Sequence, residues 1–206
     1  MDPCTRLLLI RHAEVAVDYH RVFGGRIDME LSPHGHHQAS RLAQYLKEHQ
    51  IDHIYTSPMV RARQTLAAIE QFHLPEPVPL AGLREVDFGS WTGLSWEQVR
   101  ERFNKSAYHW LTELDEEGIP EAERVPDFRA RVEDCLDHIL SESPQRTSAV
   151  VCHGGVIRMA LAILLDLPLP KMAHFEIDYA SVTSVEIHPH KREVRLLNLA
   201  PWRDVP

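Results

Sequence analysis

Two apolar runs in this chain break off on the same residue type. Leu7-Leu8-Leu9-Ile10 stops at Arg11-His12, and Ala149-Val150-Val151 stops at Cys152-His153-Gly154-Gly155. Apolar runs without polar alternation predict strands buried on both faces of a sheet. In open α/β sheets the ligand crevice lies outside the carboxyl ends of the strands. Both histidines are therefore expected at one edge, the first beside a cation and the second before two glycines.

The rest of the pattern alternates helix and strand. Leu31-Ser32-Pro33 reads as a helix start, with Ser32 as N-cap, Pro33 in the first turn and an apolar stripe at Ala39, Leu42, Ala43 and Leu46. A short strand is expected from Ile51 to Tyr55. Ser57-Pro58 repeats the cap signal and predicts a helix from Met59 to Phe72. Pro75 to Pro79 breaks that helix. Residues 95–123 read as irregular helix, acidic in the second half, and form an insertion or lid outside the sheet. Pro126 opens a helix with Phe128, Val132, Cys135, Leu136 and Ile139 on one face. Thr147 to Cys152 is the second key strand, and Gly155 to Leu165 is a nearly all-apolar, buried helix. Ser181 to Ile187 and Glu193 to Leu199 close the sheet as a hairpin-like pair around His188-Pro189-His190-Lys191.

Composition narrows the class. A chain of 206 residues is long enough for one domain with a proper core. The expectation is a single domain, 1–206, with a lid at about 95–125. A net charge of −8 argues against nucleic acid as partner. An anionic substrate then requires a local basic pocket. Cys4, Cys135 and Cys152 have no paired spacing, which predicts a reducing compartment and no zinc site. Only Met1 to Arg6 precede the first strand, so no signal peptide is expected. The longest apolar run, Met159 to Leu165, is too short to cross a bilayer.

Several residues carry possible chemistry. Gly24-Gly25 either lets backbone approach a ligand or makes a turn. Arg61 falls in the first turn of a helix, where a cation is unfavourable unless an anion sits there too. Glu85 and Asp87 lie in a loop of glycines and aromatics, and either could serve as an acid. His34, His36 and His37 crowd a helix start without a completing carboxylate or thiol and read as a solvated face. The helix after Gly154 presents its N-terminus to the His153 edge, an anion-binding arrangement.

Taken in order, Arg11-His12-Ala13-Glu14, Gly25, Asp28, Leu31, Gly35, Gln38-Ala39, Ser57-Pro58 with Arg61-Ala62 and Gln64-Thr65, Glu85 with Phe88-Gly89, Trp91 and Gly93, and His153-Gly154-Gly155-Val156-Ile157-Arg158 resemble the histidine phosphatase superfamily, the phosphoglycerate-mutase-like proteins. The resemblance covers about residues 5 to 165. It implies a three-layer α/β/α sandwich with a mostly parallel sheet and a helical lid insertion. It also implies a metal-independent phosphomonoester hydrolase with no cofactor. By carry-over His12 is the nucleophile, Arg11, Arg61 and His153 neutralise the phosphoryl oxygens, and Glu85 is general acid and base. His12 is expected neutral and His153 protonated. Gly24, Gly25, Gly154 and Asp18 are expected to border the substrate.

Departures and rivals qualify this reading. Ala13 stands where the family usually has glycine, Asp18 where it has asparagine, Gly24 where it often has glutamine, and Ala122-Glu123-Arg124 where it has Gly-Glu-Ser. A cofactor-dependent phosphoglycerate mutase is the alternative; the mutases that resemble this chain carry a longer insertion with an arginine pair for the substrate carboxylate, whereas residues 100–125 are short and mostly acidic. Cys152 to Arg158 also satisfies C-x-x-G-x-x-R, the phosphate loop of cysteine-dependent phosphatases, but that reading leaves Arg11, His12, Arg61 and Glu85 idle. A non-catalytic phosphate-binding module is a third class. The expected partner is a small-molecule phosphomonoester, a sugar phosphate or one resembling α-ribazole phosphate. The enzyme is expected to be cytoplasmic, with monomer or homodimer open.

Overall fold

A computed structural model describes residues 4–69, 72 and 74–205. Its centre is the first apolar run. Strand β1 (Thr5–Arg11) carries Leu7, Leu8, Leu9 and Ile10, none more than 4% exposed. Alternate side chains of a strand leave on opposite faces. Leu7 and Leu9 therefore enter one core cluster, and Leu8 and Ile10 enter another. Burying each such side chain contributes about 1.5–3 kcal/mol, so this one strand stabilises both layers.

Six strands form one sheet in the order β3-β2-β4-β1-β5-β6. The strands β2 (His53–Thr56), β3 (Pro77–Pro79) and β4 (Thr147–Cys152) pair in parallel with one another and with β1. The hairpin of β5 (Val182–Ile187) and β6 (Arg192–Leu199) adds antiparallel to the other side of β1. Strand β3 corrects the reading of 75–79 as a mere break. Its prolines are tolerated because it is an edge strand, where one side of the backbone needs no ladder partner.

Helices α1 (Pro33–Lys47) and α2 (Val60–Ala67) cover one face through Leu42, Leu46, Ala62 and Leu66. Ser32 caps α1 as expected, its Oγ accepting the Gly35 N–H at 2.9 Å. His34, His36 and His37 are exposed on that helix. Helix α2 is shorter than expected. Residues 68–69 form a turn, while Glu70 and Gln71, which the expected helix included, lie outside the described residues.

The other face carries the insertion and two further helices. Within 95–125 run α3 (Trp96–Phe103) and α4 (Trp110–Asp115). A capping box joins Ser95 to Gln98, and Asn104 ends α3 in the left-handed region. Val99, Leu111 and Leu114 bury into the same core as α5 (Val125–Glu142) and α6 (Gly154–Leu165). A last short helix, α7 (Pro201–Asp204), packs on α1. The result is the expected helix–sheet–helix sandwich, with β1 and β4 side by side and ending at one edge. Among the described residues no helix is long and apolar enough to cross a membrane.

Candidate active site

Because β1 and β4 are neighbours in register, with Arg11 opposite Cys152, the residues that follow them meet. The His12 and His153 rings lie 5.1 Å apart between centroids, edge to face. The first turn of α2 supplies the group between them. Arg61, 1% exposed, points its Nε at His12 Nε2 (3.2 Å) and at His153 Nδ1 (3.1 Å). The rest of its guanidinium donates to the carbonyls of Ile27 (2.7 Å) and Gly25 (2.9 Å). Gly25 adopts φ +45°, the left-handed region, and this turns its carbonyl towards Arg61. The glycine pair thus contributes a carbonyl to an arginine as well as a wall to the cavity.

These contacts fix both tautomers. His12 Nδ1 lies 2.8 Å from the Ala13 carbonyl, which can only accept, so Nδ1 carries the proton and Nε2 keeps its lone pair. His153 Nδ1 accepts from Arg61, and its Nε2 donates to Ser57 Oγ at 2.7 Å. Ser57 is fully buried in this role. It is not the cap of α2, where Met59 stands at the N-cap without a side-chain bond. Burial, then the charges of Arg61 and Arg11, hold the His12 imidazole well below its ordinary range. Burial, then Arg61, does the same to His153. The expected protonated His153 is thus replaced by a neutral one in the free protein, since a second cation cannot be stabilised against Arg61 in a desolvated pocket.

The sign of the consequence for stability is definite. Each imidazole stays neutral in the fold but binds a proton in the unfolded chain below about pH 6.5. The unfolded state then holds more protons, and stability falls as pH falls. Urea melts between pH 7.5 and 5 should show a loss of up to about 1.4 kcal/mol per pH unit for each of the two histidines. A flat profile would mean that these rings titrate normally in the fold.

A cavity of about 320 Å³ opens beside this pair, lined by Arg11, His12, Arg61 and Glu85 together with Gly24, Gly25 and Gly154. His153 stands behind Arg61 and outside that lining, at 0% exposure. Asp18 sits exposed on a short turn, Val17–Tyr19, also outside the lining, and pairs with neither Arg21 nor Arg26. Of the two loop carboxylates, Glu85 lines the cavity and Asp87 does not. Glu85 Oε2 accepts the Gly155 N–H of α6 (3.2 Å) and its Oε1 the Val86 N–H (3.0 Å), whereas Asp87 only closes a turn onto Gly89. A side chain at Gly155 would run into the Glu85 carboxylate and push it away from the helix N-terminus. Arg131 of α5 braces this loop through the carbonyls of Arg84 (2.7 Å) and Glu85 (3.3 Å), and Glu123 holds Arg131 in turn. The departure at 122–124 therefore still leaves a carboxylate serving the loop.

The sequence assigns no role in the histidine-based site to two further residues that line the cavity, although Arg158 ends both motifs at 152–158. Tyr179 lies under the Arg11 guanidinium, 3.9 Å from ring centroid to Cζ, and 5.6 Å from the His12 ring. It arrives through the antiparallel docking of β5 on β1 and has no local signal. Arg158 shares the cavity wall and donates to the carbonyls of Gly154 (3.2 Å) and Phe175 (3.1 Å). Burial and the nearby Arg11 bring its pKa down to about 10. Its spacing of four from Gly154, one turn along the same helix face, could have placed it. Cys152 is 1% exposed, outside the cavity lining, with its thiol raised far above the ordinary range by burial. A nucleophilic thiol needs the opposite environment, so the cysteine-phosphatase reading fails. The one group of potential metal donors among the described residues, Cys4, Glu186 and His188, lies at the far end of β1, where Glu186 already binds Arg6 at 2.8 Å.

A sequence profile of the histidine phosphatase superfamily (branch 1) matches residues 7–200. The chain belongs to that superfamily. The superfamily members it resembles include "Phosphoserine phosphatase 1" of Hydrogenobacter thermophilus, 28% identical over 94% of this chain and 92% of the relative. Another is "Adenosylcobalamin/alpha-ribazole phosphatase" of Salmonella typhimurium, 26% identical over 96% and 98%. Among solved structures it is similar to the phosphoserine phosphatase of Entamoeba histolytica in complex with 3-phosphoglyceric acid, with a TM-score of 0.79, 26% identity and coverage of 95% and 97%. This histidine phosphatase is a phosphoric monoester hydrolase, and the mutase alternative is not favoured.

Proposed function

We propose that this phosphatase works through a phosphohistidine on His12. The observation that supports the reading best is the His12 tautomer: Nδ1–H is tied to the Ala13 carbonyl, and the Nε2 lone pair is left at the cavity against Arg61. The substrate phosphoryl group takes the Arg61 hydrogen bond that His12 Nε2 accepts in the free protein. Nε2 then attacks phosphorus in line as the bond to the ester oxygen breaks, and Glu85 gives that oxygen a proton. In the second half Glu85 takes a proton from water, the water oxygen attacks phosphorus, and inorganic phosphate and free His12 result. Arg11, Arg61, Arg158 and the N-terminus of α6 supply the positive charge. His153 acts from behind, holding Arg61 between the two rings. No metal or cofactor is needed for any of these steps.

Residues 95–125 serve as a lid over the cavity, which Trp96 and Trp110 also line, on a chain that acts as one domain, 1–206. Cys4, Cys135 and Cys152 are all free, as suits a reducing cytoplasm. Small phosphomonoesters are the substrate class, and phosphoserine and α-ribazole phosphate are the first to assay, after the relatives.

The test is leaving-group dependence in Glu85→Gln. Alkyl phosphates should lose about 10²–10⁴-fold in kcat, whereas p-nitrophenyl phosphate, whose leaving group scarcely needs a proton, should lose much less. Equal losses would make Glu85 a binding group and overturn the acid–base assignment.

A further inference from the structure

Resting on the phosphatase reading, we propose a second substrate pocket next to the catalytic cavity. It takes an alcohol portion that carries a flat aromatic ring and a second anionic group, the chemistry of a nucleoside bisphosphate. The pocket has a volume of about 430 Å³, and its wall includes Arg21, Trp96, Arg100, Lys105 and Tyr108. Trp96 also lines the catalytic cavity, so the two spaces share one side chain as a common wall.

The wall between them is built, not incidental. Residues 21–23 and 94–96 run as a short antiparallel pair, with Trp96 N–H to the Arg21 carbonyl (3.0 Å), Phe23 N–H to the Leu94 carbonyl (3.0 Å) and a bridge between Val22 and Ser95. Arg21 is held at φ +55°, in the left-handed region, with its guanidinium 5.8 Å from the Trp96 ring. Trp96 meets Tyr108 edge to face at 4.9 Å. With Arg21 over Trp96, the exposed Tyr108 ring is the surface a ligand can stack on. Tyr108 is 73% exposed, an unusual position for a large aromatic whose one ring partner among the described residues is Trp96.

Charge points the same way. The protein is at −8 overall, yet this pocket collects three cations against the single carboxylate of Glu97. Lys105 is paired with Glu113 at 2.7 Å; among the described residues Arg21 and Arg100 make no salt bridge, although, after hydrogen bonds from its own backbone and from Ser95, both sit close enough to help hold the Glu97 carboxyl below its ordinary range. The reacting phosphoryl group already has Arg11 and Arg61 in the other cavity. A second cationic pocket beyond Trp96 therefore serves a second anion, and Tyr108 serves the ring between the two charges.

The experiment compares four esters, p-nitrophenyl phosphate, ribose 5-phosphate, AMP and adenosine 3′,5′-bisphosphate, on the full chain and on Arg100→Ala and Tyr108→Ala. The wild type should prefer the bisphosphate. Arg100→Ala should lower kcat/KM for the bisphosphate at least about tenfold, through KM, and leave the other three within about twofold. Such a loss corresponds to about 1.4 kcal/mol. Tyr108→Ala should weaken both adenosine esters and spare ribose 5-phosphate, which has no aromatic ring, and p-nitrophenyl phosphate, whose ring is bonded directly to the reacting phosphate and stays in the catalytic cavity. Equal effects on all four esters, or none, overturn the second pocket while His12-dependent turnover keeps the phosphatase reading. Turnover that survives His12→Ala overturns the mechanism and this inference with it.

Discussion

Replacing His12 with alanine is expected to reduce turnover of any phosphomonoester by at least about 10⁴-fold, the scale on which enzymes lose rate when their nucleophile is removed. His12 Nε2 is the nitrogen placed to attack, since His12 lines the cavity and the phosphoryl group can take over its bond to Arg61, whereas His153 is fully buried behind Arg61 and outside the lining. The phosphoenzyme trapped from wild type by rapid quench should be labile in acid and survive base, as a phosphoramidate does. Cys152→Ser is the control, because that thiol is buried and its pKa is raised, and it should keep most of the activity. An active His12→Ala together with a dead Cys152→Ser would transfer the chemistry to the thiol.

Arg61→Ala should be nearly as damaging, and for two separable reasons. Losing a preorganised cation where phosphoryl charge develops costs about 10²–10³-fold in kcat. The Gly25 carbonyl would also lose its donor in a buried setting, at about 1–3 kcal/mol, and the partly buried Ile27 carbonyl would lose its own. Arg61→Lys separates the two effects. It restores the charge but cannot donate to both rings and both carbonyls from one ammonium. Activity should therefore stay low while the fold partly recovers in urea melts. Without Arg61 one of the charges that disfavour imidazolium is gone. Both histidines should then titrate closer to their ordinary range by NMR. Near-wild-type kcat/KM in Arg61→Ala would place the phosphoryl charge elsewhere in the cavity.

The residues differ in how far they could be read beforehand. His12 and His153 each follow a run of buried apolar residues, and the run itself announces the strand end. Glu85 needed more. Two carboxylates share that loop, and only the tertiary structure brings one of them to the cavity, beside Gly155 of α6. Serine before proline is a local signal for a helix cap and predicts that role for Ser57. Its hydroxyl instead serves a histidine 96 residues away.

What the sequence by itself determined is local in origin. Unbroken apolar runs set β1 and β4, the period of the stripe set α1 and α5, and Ser32 with Pro33 set where α1 begins. These follow from backbone geometry and burial within a few residues of each other. Tertiary structure decided the electrostatics. His12, Arg61 and His153 are spaced by 49 and 92 residues and meet only because β1 lies beside β4 and α2 returns to the same edge. Tyr179 reaches Arg11 only because β5 pairs antiparallel to β1. The neutrality of both imidazoles depends on solvent exclusion and on a cation within hydrogen-bonding distance. Both are properties of the packed edge, and no single segment of the chain carries either one.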